Sequence, residues 1–246
     1  MRLLEQIGIY FLLMKRTFSR PEKYSVLYRQ TMREIEKVGI NSFAIVVIIS
    51  LFVGAVITIQ SNYNIENPLL PSYLVGVMVR DSLLLEFSST MVALILAGKV
   101  GSSIASELGM MRITEQIDAM EVMGINSASF LILPRVIAAI LFFPILCLLS
   151  VIVGLVGGYL SCALANVVPP SEYISGIQYA FRPYYISYAL AKTAVYAVII
   201  TTVSSYFGYN VKGGAVEVGR SSTRAVVQSS VLILLANLIL TRTILQ

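Results

Sequence analysis

The chain has 246 residues, of which 57% are hydrophobic and 13% are charged, and its formal net charge is +5. Soluble domains carry roughly 25% charged residues, so this composition, with a mean hydropathy of +0.82, excludes an ordinary soluble protein. The absence of histidine excludes a Ser-His-Asp triad and makes a conventional zinc site improbable. We therefore predict an all-α integral membrane protein with no catalytic residues and no metal site.

Residues 1–40 mix apolar side chains with eight lysines and arginines. This pattern is typical of amphipathic helices at an anionic membrane surface, and no nucleic-acid partner is expected. We predict an N-terminal interfacial elbow over residues 1–40, formed by two helices that Pro21 separates.

Five apolar runs follow, each near the length that a membrane-spanning helix needs. They cover approximately residues 42–59, 83–106, 136–164, 184–206 and 225–240. Residues 41–246 are therefore predicted to form a five-span domain. Lysine and arginine are concentrated in the N-terminal segment and in the loops 110–135 and 208–224, which predicts a cytoplasmic N-terminus and a periplasmic C-terminus.

The second apolar run carries small residues at every fourth position, namely Ala97, Gly101, Ala105 and Gly109, with Gly98 beside them. Such a face permits close approach of helices in lipid. We expect it to pack either against neighbouring spans or across the contact of a symmetric homodimer.

Residues 113–124, between the second and third runs, are predicted to form a short amphipathic helix. Thr114 is the expected N-cap, Glu115 lies in the first turn, and Gly124 ends the helix. Glu115, Asp118 and Glu121 form an acidic flank beside an apolar side. Such a helix either docks in a groove of a soluble partner or packs on its own protein as a solvated loop helix.

Two segments carry a family resemblance. The run AGKVGSSIASELGMMRITEQIDAMEVMGI (97–125) and the later LILPRV (131–136) closely resemble the signature of the MlaE (YrbE-type) permease family of bacterial ABC phospholipid transporters. The resemblance implies a permease subunit in the bacterial inner membrane that moves phospholipids between the inner and outer membranes. Weaker similarity extends to Arg29-Gln30, Val38-Gly39, Gly208-Tyr209 and residues 221–224.

The resemblance also implies partners. The family segment that matches residues 107–124 is a coupling helix seated in a cleft of the ATPase, which implies coupling roles for Glu107, Arg112, Thr114, Glu115, Gln116, Asp118, Glu121 and Gly124. The chain has no phosphate-binding loop, so ATP and Mg are expected in a separate ATPase subunit (MlaF-like), with no cofactor in this chain. The other expected partners are a second copy of the chain, an MCE-domain protein (MlaD-like) and, as a further candidate, a small cytoplasmic accessory protein.

Two ionisable residues, Glu86 and Lys192, lie inside apolar runs at similar depth, where a charge is costly and usually faces a cavity or a partner. The resemblance aligns Glu86 with the glutamate of an Arg-Glu-Leu-Gly-Pro motif and Lys192 with a lysine near the lipid-binding cavity. Leu85 replaces the arginine of this motif, and Ser88-Ser89 replace Gly-Pro.

We predict that Glu86 and Lys192 line a lipid cavity, with Ile57, Gln60 and Tyr63 as candidates for its walls. The alternative is a purely structural ion pair that fixes helix register. Two other functions stay open at this point: a self-contained, ion-coupled secondary transporter or channel, and a membrane anchor that transports nothing. An odd number of spans cannot divide into two equal inverted repeats, which weakens the lone-transporter hypothesis.

Overall fold

The computed structural model describes residues 2–19, 24–65 and 71–245, and these ranges contain helices and no strand. The α-helices, in chain order, are α1 (Arg2–Phe18), α2 (Tyr24–Ile35), α3 (Asn41–Asn64), α4 (Tyr73–Ser82), α5 (Val92–Leu96), α6 (Ser102–Ile113), α7 (Gln116–Val122), α8 (Ser127–Ala165), α9 (Pro170–Gln178), α10 (Tyr184–Tyr209) and α11 (Ala215–Leu245). Three π-helical segments join some of them without a break: Glu36–Ile40, Leu83–Met91 and Ala97–Gly101. The expected helix boundary at Pro21 lies outside the described residues.

Five helical stretches are long and apolar enough to cross a membrane, which confirms the predicted all-α architecture and number of spans. They are Tyr24–Asn64, Tyr73–Ile113, Ser127–Ala165, Tyr184–Tyr209 and Ala215–Ile244. Each is longer than the apolar run that predicted it, because helical structure continues into the polar flanks on one or both sides.

The first span begins well before its apolar run. Helix α2 continues through the π-helical segment Glu36–Ile40 into α3, so the predicted boundary between residues 40 and 41 falls inside continuous helix. The division into an interfacial segment and a five-span domain stays a prediction.

The third span differs from the prediction at its start. The predicted run covers residues 136–164, but α8 begins at Ser127, so both Pro134 and Pro144 lie inside the helix. A proline in a spanning helix is tolerated where neighbouring helices and local adjustments satisfy the freed backbone carbonyl. Asn126 caps the new start, because its side-chain oxygen accepts a hydrogen bond from the Ser129 amide at 3.4 Å.

Residues 165–183, between the third and fourth predicted runs, contain α9, which packs on α4. Tyr173 and Gly176 of this helix are buried. The buried Arg80 of α4 donates hydrogen bonds to the carbonyls of Ile177 and Tyr179, at 2.9 and 2.6 Å. Arg80 therefore satisfies two backbone carbonyls at the end of α9. With nine residues, α9 is too short to span a membrane.

Helix α8 lies at the centre of the domain, between α3 and α10. Its glycines let α3 approach closely: a methyl group added to Gly54 would lie 1.8 Å from the carbonyl oxygen of Gly154, and one added to Gly157 would lie 2.1 Å from that of Leu51. Small residues at a helix contact provide this proximity, which replaces the hydrophobic driving force that lipid removes.

Candidate functional site

Glu86 and Lys192 form an ion pair within the membrane-spanning region. Lys192 Nζ lies 3.2 Å from Glu86 Oε1, and it also donates a hydrogen bond to the carbonyl oxygen of Leu85 at 3.0 Å. The lysine side chain is fully buried, whereas the glutamate side chain is 40% exposed. Glu86 lies in the π-helical segment Leu83–Met91, and such segments are frequent at functional sites.

The fifth span completes this polar centre with two residues that the sequence analysis did not identify. Asn237 Nδ2 donates a hydrogen bond to Glu86 Oε2 at 2.9 Å, and Thr241 Oγ1 donates one to Glu86 Oε1 at 3.1 Å. Tyr196 donates in turn to Asn237 Oδ1 at 2.9 Å. The spacing of Asn237 and Thr241, one helical turn apart in an otherwise apolar stretch, is a signal that could have identified them.

The three predicted cavity walls lie in different environments. Ile57 is buried in an apolar cluster with Val79 and Tyr173, so within the single chain it faces the interior rather than a cavity. Gln60 and Tyr63 are exposed, Tyr63 at 72%. A role for Gln60 and Tyr63 in a cavity between two chains stays a prediction.

A cavity of about 620 Å³ lies elsewhere, in a groove between α1, α10 and α11. It is lined mainly by apolar side chains and was not predicted. Tyr10 of α1 lines this groove and donates a hydrogen bond to Thr202 of α10 at 2.9 Å, which fixes the first helix against the fourth span.

The short helix predicted over residues 113–124 is present but begins later, at Gln116 of α7, and its coupling role stays a prediction. Thr114 is not its N-cap; it ends α6, and its hydroxyl donates a hydrogen bond back to the Met110 carbonyl at 2.8 Å. Glu115 occupies the N-cap position with a left-handed backbone (φ 60°) and no side-chain cap. Gly124, with φ +78°, follows the end of the helix, where a left-handed conformation favours glycine.

Glu121 of α7 contacts several residues of its own protein, while its side chain stays 34% exposed. Its Oε1 accepts hydrogen bonds from Ser127 at 2.8 Å and Tyr209 at 2.9 Å, and lies 2.9 Å from Arg16 Nη2. Partial burial acts to raise the pKa of Glu121, but these two hydrogen bonds and the Arg16 charge outweigh it and lower the pKa below its usual value. Asn126 adds a second link, since its amide donates to the backbone carbonyl of Arg16. Helix α7 is thereby attached to α1, α8 and α10.

The opposite side of α7 is largely exposed. Ile117 is buried, but Val122 is 89% exposed and Met123 is 67% exposed. Gln116 and Asp118 are also exposed, and Asp118 pairs with Arg112 of α6 at 2.6 Å. We call the exposed residues Gln116, Asp118, Val122 and Met123 the tip of α7. The tip combines apolar and charged groups in a segment that joins two spans.

Glu107 is remote from the tip of α7 in its contacts. Its carboxylate accepts a hydrogen bond from the buried Arg135 of α8 at 2.7 Å and lies 3.5 Å from Lys37 Nζ. Glu34 of α2 lies 3.5 Å from Arg135 Nε. Glu107 therefore joins the first, second and third spans, and its predicted contact with an ATPase stays a prediction.

The small residues of the second span pack against the fourth and fifth spans of the same chain. Ala97, Gly101, Ala105 and Gly109 are buried, with Gly101 facing α10 and Gly109 facing α11. Gly98 differs from the prediction, because a methyl group added there would meet no atom within 4 Å. Among the residues that the structure describes, Gly98 is therefore not closely packed.

Comparison with known proteins identifies the family. Residues 31–243 match the family described as Permease MlaE. The chain belongs to the MlaE permease family. It is 35% identical over 243 residues to a probable ABC transporter permease protein of Rickettsia bellii, which covers 98% of this chain and 92% of the relative.

Two other relatives extend the comparison. The protein TRIGALACTOSYLDIACYLGLYCEROL 1 of Arabidopsis thaliana chloroplasts is 33% identical over 89% of this chain and 62% of its own length. The intermembrane phospholipid transport system permease protein MlaE of Haemophilus influenzae is 28% identical over 85% of this chain and 80% of its own length. With five potential spans, this MlaE-family chain is a multi-pass membrane permease of the ABC transporter type, and the predicted family is confirmed.

The described residues contain no group of three or more His, Cys, Asp or Glu side chains that could hold a metal ion.

Proposed function

We propose that the chain is the permease subunit of an ABC transporter that moves phospholipids between the inner and outer membranes of a bacterium. The family match and the printed name of the Haemophilus relative support the substrate class. ATP and Mg are assigned to a separate ATPase subunit (MlaF-like), since this chain has no phosphate-binding loop. An MCE-domain protein (MlaD-like) is the proposed partner on the opposite face of the membrane, and an accessory cytoplasmic protein is a further candidate.

The exposed tip of α7 is the structural feature that supports this proposal most directly. Val122 and Met123 form an apolar patch on a short helix between the second and third spans, and Glu121 fixes that helix to α1, α8 and α10. A helix that fits a groove of a partner needs exposed apolar anchors. Because α7 is attached on its inner side, movement of an ATPase bound to its outer side is transmitted to several helices at once.

Co-purification tests this coupling role. Val122→Asp with Met123→Asp places charges at the tip without removing an internal contact, so we expect loss of ATPase from the tagged complex. Val216→Asp is the control, because Val216 is an exposed apolar residue, 71% accessible, at the start of α11 and outside α7. Retention of the ATPase by the tip variant would contradict the coupling role and would favour an ion-coupled transporter.

The Glu86–Lys192 centre is the proposed lipid-handling site, because it places a partly exposed carboxylate and a buried ammonium among membrane-spanning helices. Lipid transport between vesicles by the reconstituted complex should fall in Glu86→Gln. A variant that transports normally while its stability is lowered would indicate a structural ion pair instead.

The functional unit is proposed to be a homodimer with a lipid cavity between its two chains. A single chain of five spans offers few helices to enclose a lipid, and closed two-fold dimers are the commonest oligomers. The described faces of α3 and α11 expose many large apolar side chains, such as Phe52 and Leu238. Chemical crosslinking in native membranes should yield a species of twice the chain mass.

A further inference from the structure

A second polar site lies between the first and third spans, far in sequence from Glu86 and Lys192. It is a cleft of about 280 Å³ between the end of α2 and the start of α8. Its polar lining includes Arg33, Glu34, Lys37 and Arg135. The π-helical segment Glu36–Ile40 forms part of one side, so the wall is irregular helix of the kind that often accompanies function.

Arg135 forms the floor of this cleft, and its guanidinium is only partly paired. The side chain is 5% exposed, and Nη2 donates a hydrogen bond to Glu107 at 2.7 Å. Nε lies 3.5 Å from Glu34 without hydrogen-bond geometry, and Nη1 has no hydrogen-bond partner among the described residues. A buried cationic donor without a partner is costly, which indicates that another group satisfies it.

The other residues of the cleft define the chemistry of that group. Arg33 and Lys37 add two cations to Arg135, whereas Glu34 in the cleft and Glu107, which pairs with Arg135 from outside the lining, supply two anions. The five charged groups therefore leave an excess of one positive charge. Arg33 makes no ion pair with a described residue and is exposed at the rim. Guanidinium groups favour planar or tetrahedral oxyanions, which accept two or more hydrogen bonds from them.

One wall of the cleft is apolar. Phe130, Leu131 and Pro134 of α8 lie beside the basic residues, and α2 carries a basic, amphipathic sequence of the kind that lies at a membrane surface. A phosphate group attached to an apolar chain would match both the basic floor and this wall, and a free phosphate would match the floor alone.

We infer that Arg33, Lys37 and Arg135 form a binding site for a phosphate group, separate from the Glu86–Lys192 centre. The phosphate accepts hydrogen bonds from the two rim cations, and a small rotation of the buried Arg135 side chain brings its unpaired Nη1 into reach. The site contacts the Glu34–Lys37–Glu107–Arg135 ion-pair network, so its occupancy also stabilises the junction of the first, second and third spans.

Thermal unfolding of the purified chain in mild detergent tests the site, because a ligand of the folded state raises Tm with concentration. Three probes are titrated: dioleoylphosphatidylglycerol, dioleoylglycerol as the same lipid without phosphate, and inorganic phosphate against sodium chloride of equal ionic strength. Arg33→Gln should shift the midpoint of stabilisation by phosphatidylglycerol or phosphate to about tenfold higher concentration, equivalent to about 1.4 kcal/mol. Arg33→Gln with Lys37→Gln should shift it further.

Lys15→Gln is the matched control, since Lys15 is an exposed cation of α1 that makes no ion pair in the described ranges. It should titrate like the wild-type chain. If only phosphatidylglycerol raises Tm in an Arg33-dependent way, the natural ligand is a lipid headgroup. If inorganic phosphate raises Tm in the same way, the ligand is a free phosphate. Both results support the site. Identical midpoints in the wild type, Arg33→Gln and the double variant would overturn it, and so would equal stabilisation by dioleoylglycerol.

Discussion

Glu86 accepts hydrogen bonds from four side chains, Thr90, Lys192, Asn237 and Thr241. An ionised carboxylate in a spanning helix is costly unless the protein replaces water around it. Here one oxygen is shared by Lys192 and Thr241, and the other by Thr90 and Asn237. The second, fourth and fifth spans are therefore joined at one carboxylate, which gives Glu86 a structural role in addition to its proposed role in lipid handling.

Lys192→Met should destabilise the chain, because it leaves the Glu86 carboxylate without its cation. Breaking a buried pair costs roughly 3–5 kcal/mol, and we expect about 2 kcal/mol here because 40% of the Glu86 side chain is exposed. Adding Glu86→Gln should recover part of the loss, as in a coupled pair. Unfolding in detergent mixtures measures the two single variants and the double variant; a loss in the double variant equal to the sum of the two single losses would exclude coupling.

Glu121→Gln should lower stability at pH 7 by about 1 kcal/mol, since it weakens charged hydrogen bonds from Ser127 and Tyr209 and removes the Arg16 ion pair. The pKa of Glu121 is lowered in the folded chain. Its stabilising contribution is therefore present above the unfolded pKa, near 4.3, and is lost as the pH falls through the folded value.

Thermal unfolding of the wild type and of Glu121→Gln between pH 7 and pH 3 tests whether the stabilising contribution of Glu121 decreases on acidification. The difference in Tm should be largest at neutral pH and should narrow under acidic conditions. Glu115→Gln is the control, because Glu115 is exposed and makes no ion pair with a described residue. A difference that widened on acidification would be incompatible with a lowered pKa.

Single residues were predictable from the sequence when their chemistry was conspicuous. Glu86 and Lys192 stand out as charges in apolar runs, whereas Asn237 and Thr241 are uncharged and common enough in spans to be overlooked. Thr114 was misassigned because α6 and α7 nearly abut, so the residue that ends one helix resembles the cap of the next. Local sequence alone does not show which carbonyl or amide a hydroxyl will contact.

At the scale of elements, the contact between α3 and α8 depends on the absence of side chains at Gly54 and Gly157. Gly54→Ala would force a methyl group to within 1.8 Å of the Gly154 carbonyl oxygen, a backbone atom that cannot rotate away. Overpacking typically costs about 1–3 kcal/mol, and we expect the upper end of that range or failure to fold. Expression level and unfolding in detergent are the measurements.

The control for this substitution is Gly8→Ala in α1, where an added methyl group meets no atom within 4 Å. It should be neutral or stabilising by about 0.5–1 kcal/mol, because alanine favours helix more than glycine does. If both variants behaved alike, the effect at Gly54 would come from helix propensity rather than from the close contact.

Whole spans were predictable because hydropathy and length reflect the bilayer directly. Helix α9 was not predicted, because a helix over residues 170–178 is too short and too mixed in polarity to show a hydropathy signal. Its burial depends on α4, which lies far away in the chain. The π-helical segments were also unpredicted. Contacts between distant parts of the chain decide whether a helix such as α9 is buried, and the spacing of apolar residues in the sequence does not show these contacts.

At the scale of the whole molecule, the orientation in the membrane is testable by cysteine labelling. Cys147 and Cys162 are fully buried, so they provide little background. We expect Ser171→Cys in α9 to react with an impermeant maleimide in intact spheroplasts, and Lys212→Cys, between α10 and α11, to react only after permeabilisation. Both positions are exposed, so reactivity will report the side of the membrane rather than burial.

The two positions are separated by one span, α10, and they must therefore lie on opposite sides if that helix crosses the bilayer. Labelling of Lys212→Cys before permeabilisation, with Ser171→Cys protected, would reverse the orientation inferred from lysine and arginine. Helix α7, two spans before Lys212, would then lie outside the cell, where no ATP-driven partner could bind it. The same labelling experiment therefore tests both the predicted membrane orientation and the coupling role of α7.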